Sequence, residues 1–519
     1  MPGLSHDVAT LHQAELEGFT TQLIKKSFRP ADGDRHNWIG PVHPELTRFT
    51  DAAEMRIQIR DGWPYLHPHL FVEGLRGRRH VSGSDNVCLW NESDDSYEWL
   101  TVAGIERRIV AWCADQVEIA SEPTMDAHLY FEPYDPRQIV IVRLETMRHG
   151  TAALSDEDGA FGTTKGRRDG PLYRVDGKGD TNVVWFRGTG IASPPTDWQA
   201  LVAVLTSAQR AELGLFTRWA SARRPRPALV ILVWRQSDAT AALAIRLVQP
   251  PIGSLQIHAL EIALTGPFIM SLRAGPDAAV LKDKKVIIFG AGAIGSHVAV
   301  LLAKSGVGMM TIVDDQRLRP GDLTRHAAMG AFVGRFKGEA IEETLSDSMI
   351  ATHVTALAAK VWDAQMLGDL VAQSDVVIDA TGSPTYADLL SQVSADIRPE
   401  RPMLSLALYR RGQVARASVQ VSCAVPIRSR RTSAEFPAIP PDPGGEEATM
   451  NWETGCGAPV NDAPPWAVAS AAALGSRTAI RILTGTLSED LDLVDVYEPL
   501  EGPPFDKVGL RVFRAGGTV

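Results

Sequence analysis

Three glycines spaced G-x-G-x-x-G constrain this 519-residue chain more than any other feature. Gly290, Gly292 and Gly295 stand directly behind Lys285–Phe289, a short β-branched apolar run with the pattern of a buried parallel strand. Residues 297–304 then carry an apolar helical face, and Met309–Val313 reads as the next strand, ending at Asp314. Strand, glycine turn, helix, strand and acid together make a nucleotide-binding βαβ unit. The glycines let the backbone come close to phosphate or ribose, and the helix N-terminus adds positive potential. Asp314 is placed to accept hydrogen bonds from a ribose.

NAD is the default ligand of such a unit, but the residues after Asp314 point to other chemistry. Asp322, Arg325 and Lys337 follow, in D-L-T-R-H and G-R-F-K-G. Cations near a nucleotide suit a reaction in which phosphate charge moves, such as release of pyrophosphate. The stretch resembles the ubiquitin-activating and ThiF/MoeB/HesA adenylyltransferase family. That family has a strand-end Asp, eight residues to an Asn, and then Leu-x-Arg-Gln. Here Asp314 is followed at that distance by Asp322, then by Leu323, Thr324, Arg325 and His326. Asp replaces Asn, His replaces Gln, and Lys337 matches the family lysine. The resemblance implies ATP rather than NAD, and adenylation of a protein C-terminal carboxylate. It puts Gly290, Gly292, Gly295, Asp314 and Asp322 on the nucleotide, and Arg325 and Lys337 on the phosphate charge.

The chain is too long for one ordinary core, so about two to four domains are expected. The net charge of -10 argues against general nucleic-acid binding, which needs a basic surface. The four cysteines, Cys88, Cys113, Cys423 and Cys456, form no C-x-x-C pair, which disfavours a structural zinc site or a disulfide framework. The first residues lack a basic-then-apolar signal pattern, and no apolar run approaches membrane-spanning length. The expectation is a cytoplasmic protein without membrane segments.

Residues 6–26 have helical periodicity, and 55–59 alternate like a strand. Cys88 follows a polar turn of Gly83, Ser84, Asp85 and Asn86, so its thiol should lie near the surface. The order of features resembles the ubiquitin-conjugating fold. Trp63-Pro64-Tyr65 with Pro68 is similar to that family's aromatic-proline segment. His80 has the family spacing to Cys88, Val87-Cys88-Leu89 is similar to the nucleophile segment, and Trp99 to the tryptophan before the next helix, read at 102–117. Val81 and Ser82 replace the Pro and Asn of the family's His-Pro-Asn motif; Ser82, Ser84 and Asn86 are candidates for the missing oxyanion donor. The resemblance implies that Cys88 carries a thioester. Cys113 lies in a helical apolar pattern and reads as core.

Residues 155–179 read as a loop, followed by strands at 183–186, 228–234 and 241–248 and a helix at 207–220, enough for a small α/β connecting domain without a catalytic constellation. Further on, V-V-I-D-A-T-G ends a strand at Asp379, where open α/β sheets place ligands. An Asp there also commonly bonds the following turn. The activating family often carries a second, magnesium-associated Asp at the position of Gly382, so Asp379 is the metal candidate and Asp315 an outside one. Residues 428–443 read as a basic, proline-rich loop. Cys456 stands between two glycines ahead of an alanine-rich helix, and this context resembles the thioester loop of bacterial ThiF-like activating proteins. Cys423, in an alternating run, reads as a strand residue.

The expected fold class is α/β: a C-terminal ThiF-like Rossmann-type adenylation domain with an N-terminal α+β ubiquitin-conjugating-like domain. The expected boundaries are 1–155, 156–275 and 276–519. The resemblance implies ATP and magnesium as cofactors, a homodimer, and a bacterial ubiquitin-like or CBASS anti-phage conjugation system. The implied partners are a ubiquitin-like protein or a cGAS-like nucleotidyltransferase C-terminus, with protein lysines as acceptors; no nucleic acid and no membrane are expected. The alternatives are an NAD(P)-dependent oxidoreductase and a non-catalytic scaffold with a nucleotide-binding fold.

Overall fold

The computed structural model describes the chain apart from residues 1–3, 61–62, 77, 79, 83, 91–93, 95, 117–126, 145–147, 150–151, 154–158, 192–193, 221–227, 237–238, 251, 349, 351, 423–424, 431–432, 444–449, 453–458 and 515–519. Cys423 and Cys456 therefore lie outside the described residues. The chain divides into two units, Met1–Thr265 and Gly266–Val519.

The first unit begins with helix α1 (Leu4–Lys25). An antiparallel meander follows: β1 (Arg29–Ala31), β2 (Asp34–Pro41), β3 (Glu54–Gln58), β4 (His69–Phe71) and β5 (Asn86–Val87). Helix α2 (Val102–Asp115) starts at Thr101, whose hydroxyl accepts from the Gly104 N–H at 3.0 Å. Its buried stripe of Ile105, Ile109, Trp112 and Cys113 packs into one core with Phe19, Trp38, Ile57 and Trp99. Cys113 is thus a core residue, and burial lifts its thiol to a pKa of about 11.

The rest of this unit is a closed barrel. Its strands are β6 (Tyr134–Arg143), β9 (Phe161–Asp169), β10 (Leu172–Val175), β11 (Thr181–Arg187), β12 (Ala228–Gln236), β13 (Ala239–Val248) and β14 (Gln256–Thr265), in the order β10-β6-β14-β13-β12-β11-β9. A short ribbon, β7 (Arg148–His149) with β8 (Ala152–Ala153), and helices α3 (Trp198–Val204) and α4 (Ser207–Ala220) complete it. The expected loop at 155–179 contains β9 and β10 instead. β9 is Gly-, Lys- and Arg-rich because most of its side chains face solvent; pairing with β10 and β11 makes it a strand. β6 precedes the boundary expected at residue 155, yet it pairs with β10 and β14 beyond it.

The second unit opens with short helices α5 (Pro267–Ser271) and α6 (Ala278–Leu281). The expected βαβ unit then forms as β15 (Lys285–Phe289), α7 (Ala293–Lys304) and β16 (Met309–Val313). It continues through α8 (Lys337–Asp347), β17 (His353–Leu357), α9 (Ala364–Val371), β18 (Val376–Asp379) and α10 (Pro384–Gln392). Next come β19 (Met403–Tyr409), β20 (Val414–Gln420), α11 (Ile427–Arg430), the pair β21 (Met450–Trp452) and β22 (Pro459–Asn461), α12 (Pro465–Leu483), β23 (Leu491–Val496) and β24 (Gly509–Arg514). The main sheet runs β17-β16-β15-β18-β19-β20-β23-β24, parallel through β19 and antiparallel beyond. β15, β16 and β18 are apolar on both faces because helices cover both, as parallel sheets require. The strand order reverses between β15 and β18, which opens a crevice at their C-terminal ends.

The expected loop at 428–443 also begins differently. α11 ends at Arg430, whose side chain is 3% exposed and pairs with Asp492 on β23 at 2.7 Å. A partner so far along the sequence left no local trace. Among the described residues, no helix is long and apolar enough to cross a membrane.

Candidate nucleotide and acyl-transfer sites

The glycine turn owes its shape to its neighbours. Gly290 has φ +88°, and a Cβ there would lie 2.8 Å from the backbone of Ala380 and Thr381, just past the end of β18. A Cβ on Gly295 would lie 1.9 Å from the Gly290 carbonyl oxygen. Gly292 differs: no atom lies within 4 Å of its would-be Cβ, and no side chain caps the α7 N-terminus it begins. Space and unsatisfied N–H groups at a helix start are what an anion needs.

Asp314 binds this turn to the following loop. Its Oδ2 accepts from the Ala291 N–H and its Oδ1 from the Gln316 N–H, both at 2.7 Å. Burial pushes its pKa up, while these hydrogen bonds and the Lys337 charge hold it down. Each oxygen keeps a lone pair for a ribose hydroxyl.

A cavity of about 190 Å³ lies over this point, lined by Gly290, Gly292, Asp314, Gln316, Trp362 and Tyr386 among others. The Tyr386 hydroxyl donates to the Val361 carbonyl at 2.8 Å, and Trp362 stands edge-on to the Tyr386 ring at 5.0 Å. Sequence reasoning missed Gln316, Lys360, Trp362 and Tyr386. The available signal was position: they follow strand ends on the two sides of the crevice.

Gly292, Ala380, Thr381 and Ser383 line this cavity and also a second, larger groove of about 740 Å³. Arg325 lines the groove, and its Nη1 donates to the Ala463 carbonyl at 3.2 Å. Lys337 lines neither space. It is buried at the start of α8, where its Nζ donates to Gln316 Oε1 at 2.9 Å and lies 3.6 Å from Asp322. Asp322 is away from both cavities as well: its Oδ2 accepts from the Arg319 N–H at 2.9 Å. The structure therefore separates the two expected phosphate cations and gives Asp322 a bracing role. Lys337 acts on the cavity through its hydrogen bond to Gln316 and its charge near Asp314.

His326 is a further brace. Its Nδ1 accepts from the Ala328 N–H at 3.0 Å, which leaves Nε2–H to donate to the Ala291 carbonyl at 2.7 Å. Burial, reinforced by the nearby Lys337 charge, lowers its pKa to about 4. An unfolded histidine titrates near 6.5, so the unfolded chain binds this proton more readily. The contribution is fully present above about pH 6.5 and is lost as pH falls toward about 4. Between pH 6.5 and 5, wild-type stability is expected to drop by about 2 kcal/mol from this group alone. His326→Gln should flatten that slope in urea unfolding; an unchanged slope would assign the loss elsewhere.

Asp379 is 2% exposed. Its Oδ1 accepts from the Thr381 N–H at 3.1 Å and hydroxyl at 2.7 Å, and its Oδ2 from the Ser405 hydroxyl at 2.7 Å. This is the turn-bonding role for Oδ1, whose two donors fill it; Oδ2, with one donor, keeps a lone pair on the wall of the groove. Among the described residues, no three His, Cys, Asp or Glu side chains gather to hold an ion.

In the first unit, Cys88 is exposed just beyond β5, and its N–H donates to the His80 carbonyl at 2.8 Å. Partial burial of the sulfur raises its pKa. His80 and Asp85 have φ +57° and +60°, so the loop before the thiol is held in a left-handed conformation at two non-glycine positions. The Ser82 and Ser84 hydroxyls bond each other at 2.9 Å, and the Asn86 side-chain oxygen is buried without a hydrogen-bond partner. Trp99 Nε1 donates to the Pro64 carbonyl at 2.9 Å, tying the aromatic-proline segment to the start of α2.

A Rossmann-type sheet with a glycine turn and a strand-end acid defines a nucleotide-binding class. Residues 270–427 match the ThiF family, so the second unit carries a ThiF-family domain. The ATP-dependent ubiquitin transferase-like protein Cap2 of Enterobacter hormaechei is 30% identical over 214 residues, 40% of this chain and 34% of that protein. The Vibrio cholerae Cap2 is 33% identical over 134 residues, 24% of this chain and 22% of that one. The molybdopterin-synthase adenylyltransferase of Escherichia coli is 33% identical over 112 residues, 21% of this chain and 45% of that one. The matched stretch thus spans about a third or less of the length of the Cap2 relatives. Among solved structures, Escherichia coli MccB with ATP aligns at 19% identity and a TM-score of 0.34, covering 46% of this chain and 67% of that one.

Proposed function

We propose that this protein activates the C-terminal carboxylate of a partner protein with ATP and passes the acyl group through two cysteines to a target amine. The observation that carries the reading is the junction of two spaces. A cavity with a glycine turn and an acid opens, across Gly292 and Thr381, into a larger groove that runs beside β19. A large groove meeting the uncapped α7 N-terminus suits adenylation of a peptide carboxylate better than hydride transfer. The names of the relatives, ubiquitin transferase-like and adenylyltransferase, agree.

In the first step a carboxylate oxygen forms a bond to the α-phosphorus of ATP, and the bond to pyrophosphate breaks. Gly292 and the α7 N-terminus receive phosphate, Asp314 holds the ribose, and Arg325 balances charge on the groove side. Lys337 orients Gln316 at the cavity wall. Magnesium belongs to this reading only as the counter-ion that travels with ATP. In the second step the Cys456 thiolate attacks the acyl carbon and AMP leaves. In the third the Cys88 thiolate displaces Cys456. A lysine amine then attacks, loses a proton, and releases the Cys88 thiolate as the amide forms. The part ahead of the barrel, from α1 through α2, is read as conjugating-like. α1, the antiparallel meander, the exposed Cys88 and α2 come in the order that part requires.

The test is partner-dependent exchange of labelled pyrophosphate into ATP. Exchange that depends on a free partner C-terminus supports the reading. Nicotinamide binding without exchange would sink it.

A further inference from the structure

One face of the main sheet carries a polar row across four strands. Asp379 pairs with Ser405, Ser405 with Ser418, and Ser418 with Asp492. The next row toward the end of β19 is Ala407, Arg416 and Val494. Asp379, Ser405, Ala407, Arg416, Ser418 and Asp492 all line the large groove.

Charge does not balance along this wall. Asp492, fully buried, is shared by two guanidinium groups. Arg430 places all of its N–H groups inside the fold. They go to the carbonyls of Val425, Leu491 and Val419 and to Asp492. Arg416 does not. Its Nε and Nη2 bond Asp492, and Nη1 reaches the Pro437 carbonyl at 3.4 Å. Among the described residues, Arg416 and Arg430 share the one carboxylate of Asp492, while Asp379 bonds Thr381 and Ser405, so positive charge is left on an Arg416 side chain only 14% exposed. A charge this far removed from water is costly unless an anion meets it.

We infer that Arg416 reads an acidic side chain two residues before the C-terminus of the activated protein. The inference rests on the adenylation reading for the place of the carboxylate, at the Asp379 end where groove and nucleotide cavity meet. An extended peptide advances about 3.3 Å per residue and repeats its side-chain direction every second residue. Successive same-face rows of β19 have that same spacing. A terminal carboxylate at the Asp379 row therefore sets the side chain two residues back at the Arg416 row. The Arg416 hydrogens left over from Asp492 and Pro437 suit a carboxylate there.

The probes are three N-terminally fluorescein-labelled heptapeptides that differ only at the third residue from the end: Glu, Gln or Lys. Fluorescence anisotropy with the full chain should show the Glu peptide about tenfold tighter than Gln, and Lys about tenfold weaker again. Equal affinities, or no binding by any of the three, overturn the inference. Moving Glu to the penultimate position should remove its advantage, because that side chain faces away; a retained advantage overturns the placement. Arg416→Gln should shrink the Glu-over-Gln preference to under about twofold, and an undiminished preference overturns it too. The wild-type series stands even if that variant fails to fold. Pyrophosphate exchange with the same peptides separates the two readings. Exchange at equal KM for all three overturns the role of Arg416 and keeps adenylation. Glu-selective binding without exchange overturns adenylation and keeps the acidic-side-chain site.

Discussion

Asp314→Ala is expected to raise the KM for ATP in partner-dependent exchange by about 100-fold, near 3 kcal/mol. Two losses add in that figure. The ribose loses its acceptor, and the Ala291 and Gln316 N–H groups lose theirs. The second loss loosens the glycine turn itself, so urea stability should fall with ATP affinity. Asp314→Asn discriminates between the roles. Its single carbonyl oxygen can serve one of the two N–H groups, and its amide hydrogens face the other. If Asp314 matters only to the ribose, Ala should leave stability unchanged and Asn should restore much of the affinity; if it braces the turn, Asn should restore little of either. Arg325→Ala should behave differently, lowering kcat by about 100-fold with a smaller effect on KM, because its charge matters most as pyrophosphate leaves. Wild-type kinetics from both variants would remove this cavity and the adjoining groove from the reaction.

That double role of Asp314 marks the limit of what the sequence could convey. The βαβ unit was legible because its signals are local: five apolar residues, three spaced glycines, a helical face and an acid. The turn's second brace, His326, was visible only as a replacement for glutamine. Its two backbone bonds, to Ala291 and Ala328, depend on where the chain returns after Asp322. Asp322 itself was assigned by its spacing to the nucleotide, and the fold uses it for Arg319 and Lys337. Spacing places a residue on a loop and leaves open which way the loop turns. The groove was less legible still. Arg416, Arg430 and Asp492 lie on separate elements, and the buried ion pairs that join them span 76 and 62 residues. β9 was hidden for a related reason: a solvated strand of a closed barrel has the composition of a loop. In the first unit, α1 and α2 could be read because their apolar periodicity is local, whereas the hydroxyl pair of Ser82 and Ser84 could not.

Cys456→Ala and Cys88→Ala should both retain pyrophosphate exchange, since adenylation uses neither thiol. Their effects on conjugation should be complete. A thioester is cleaved by reductant and an amide is not, so the two intermediates are distinguishable on a gel. Cys456→Ala should carry no thioester at either site, because nothing then loads Cys88. Cys88→Ala should accumulate partner on Cys456 and form no lysine conjugate. The raised pKa of Cys88 adds a signature of its own. A thiol held above its ordinary value is mostly protonated at neutral pH, and the thiolate is the nucleophile. Transfer from Cys456 to Cys88 should therefore accelerate about tenfold per pH unit from pH 6 to 8, with no plateau in that range. A plateau near pH 7 would mean that another group takes the proton. Cys113→Ala should leave every step unchanged and cost only packing, as its place in the first core requires. If Cys88→Ala conjugates normally, the first unit docks the target and Cys456 delivers to the amine. If Cys456→Ala conjugates normally, the adenylate passes its acyl group straight to Cys88, and the relay has one cysteine fewer than proposed.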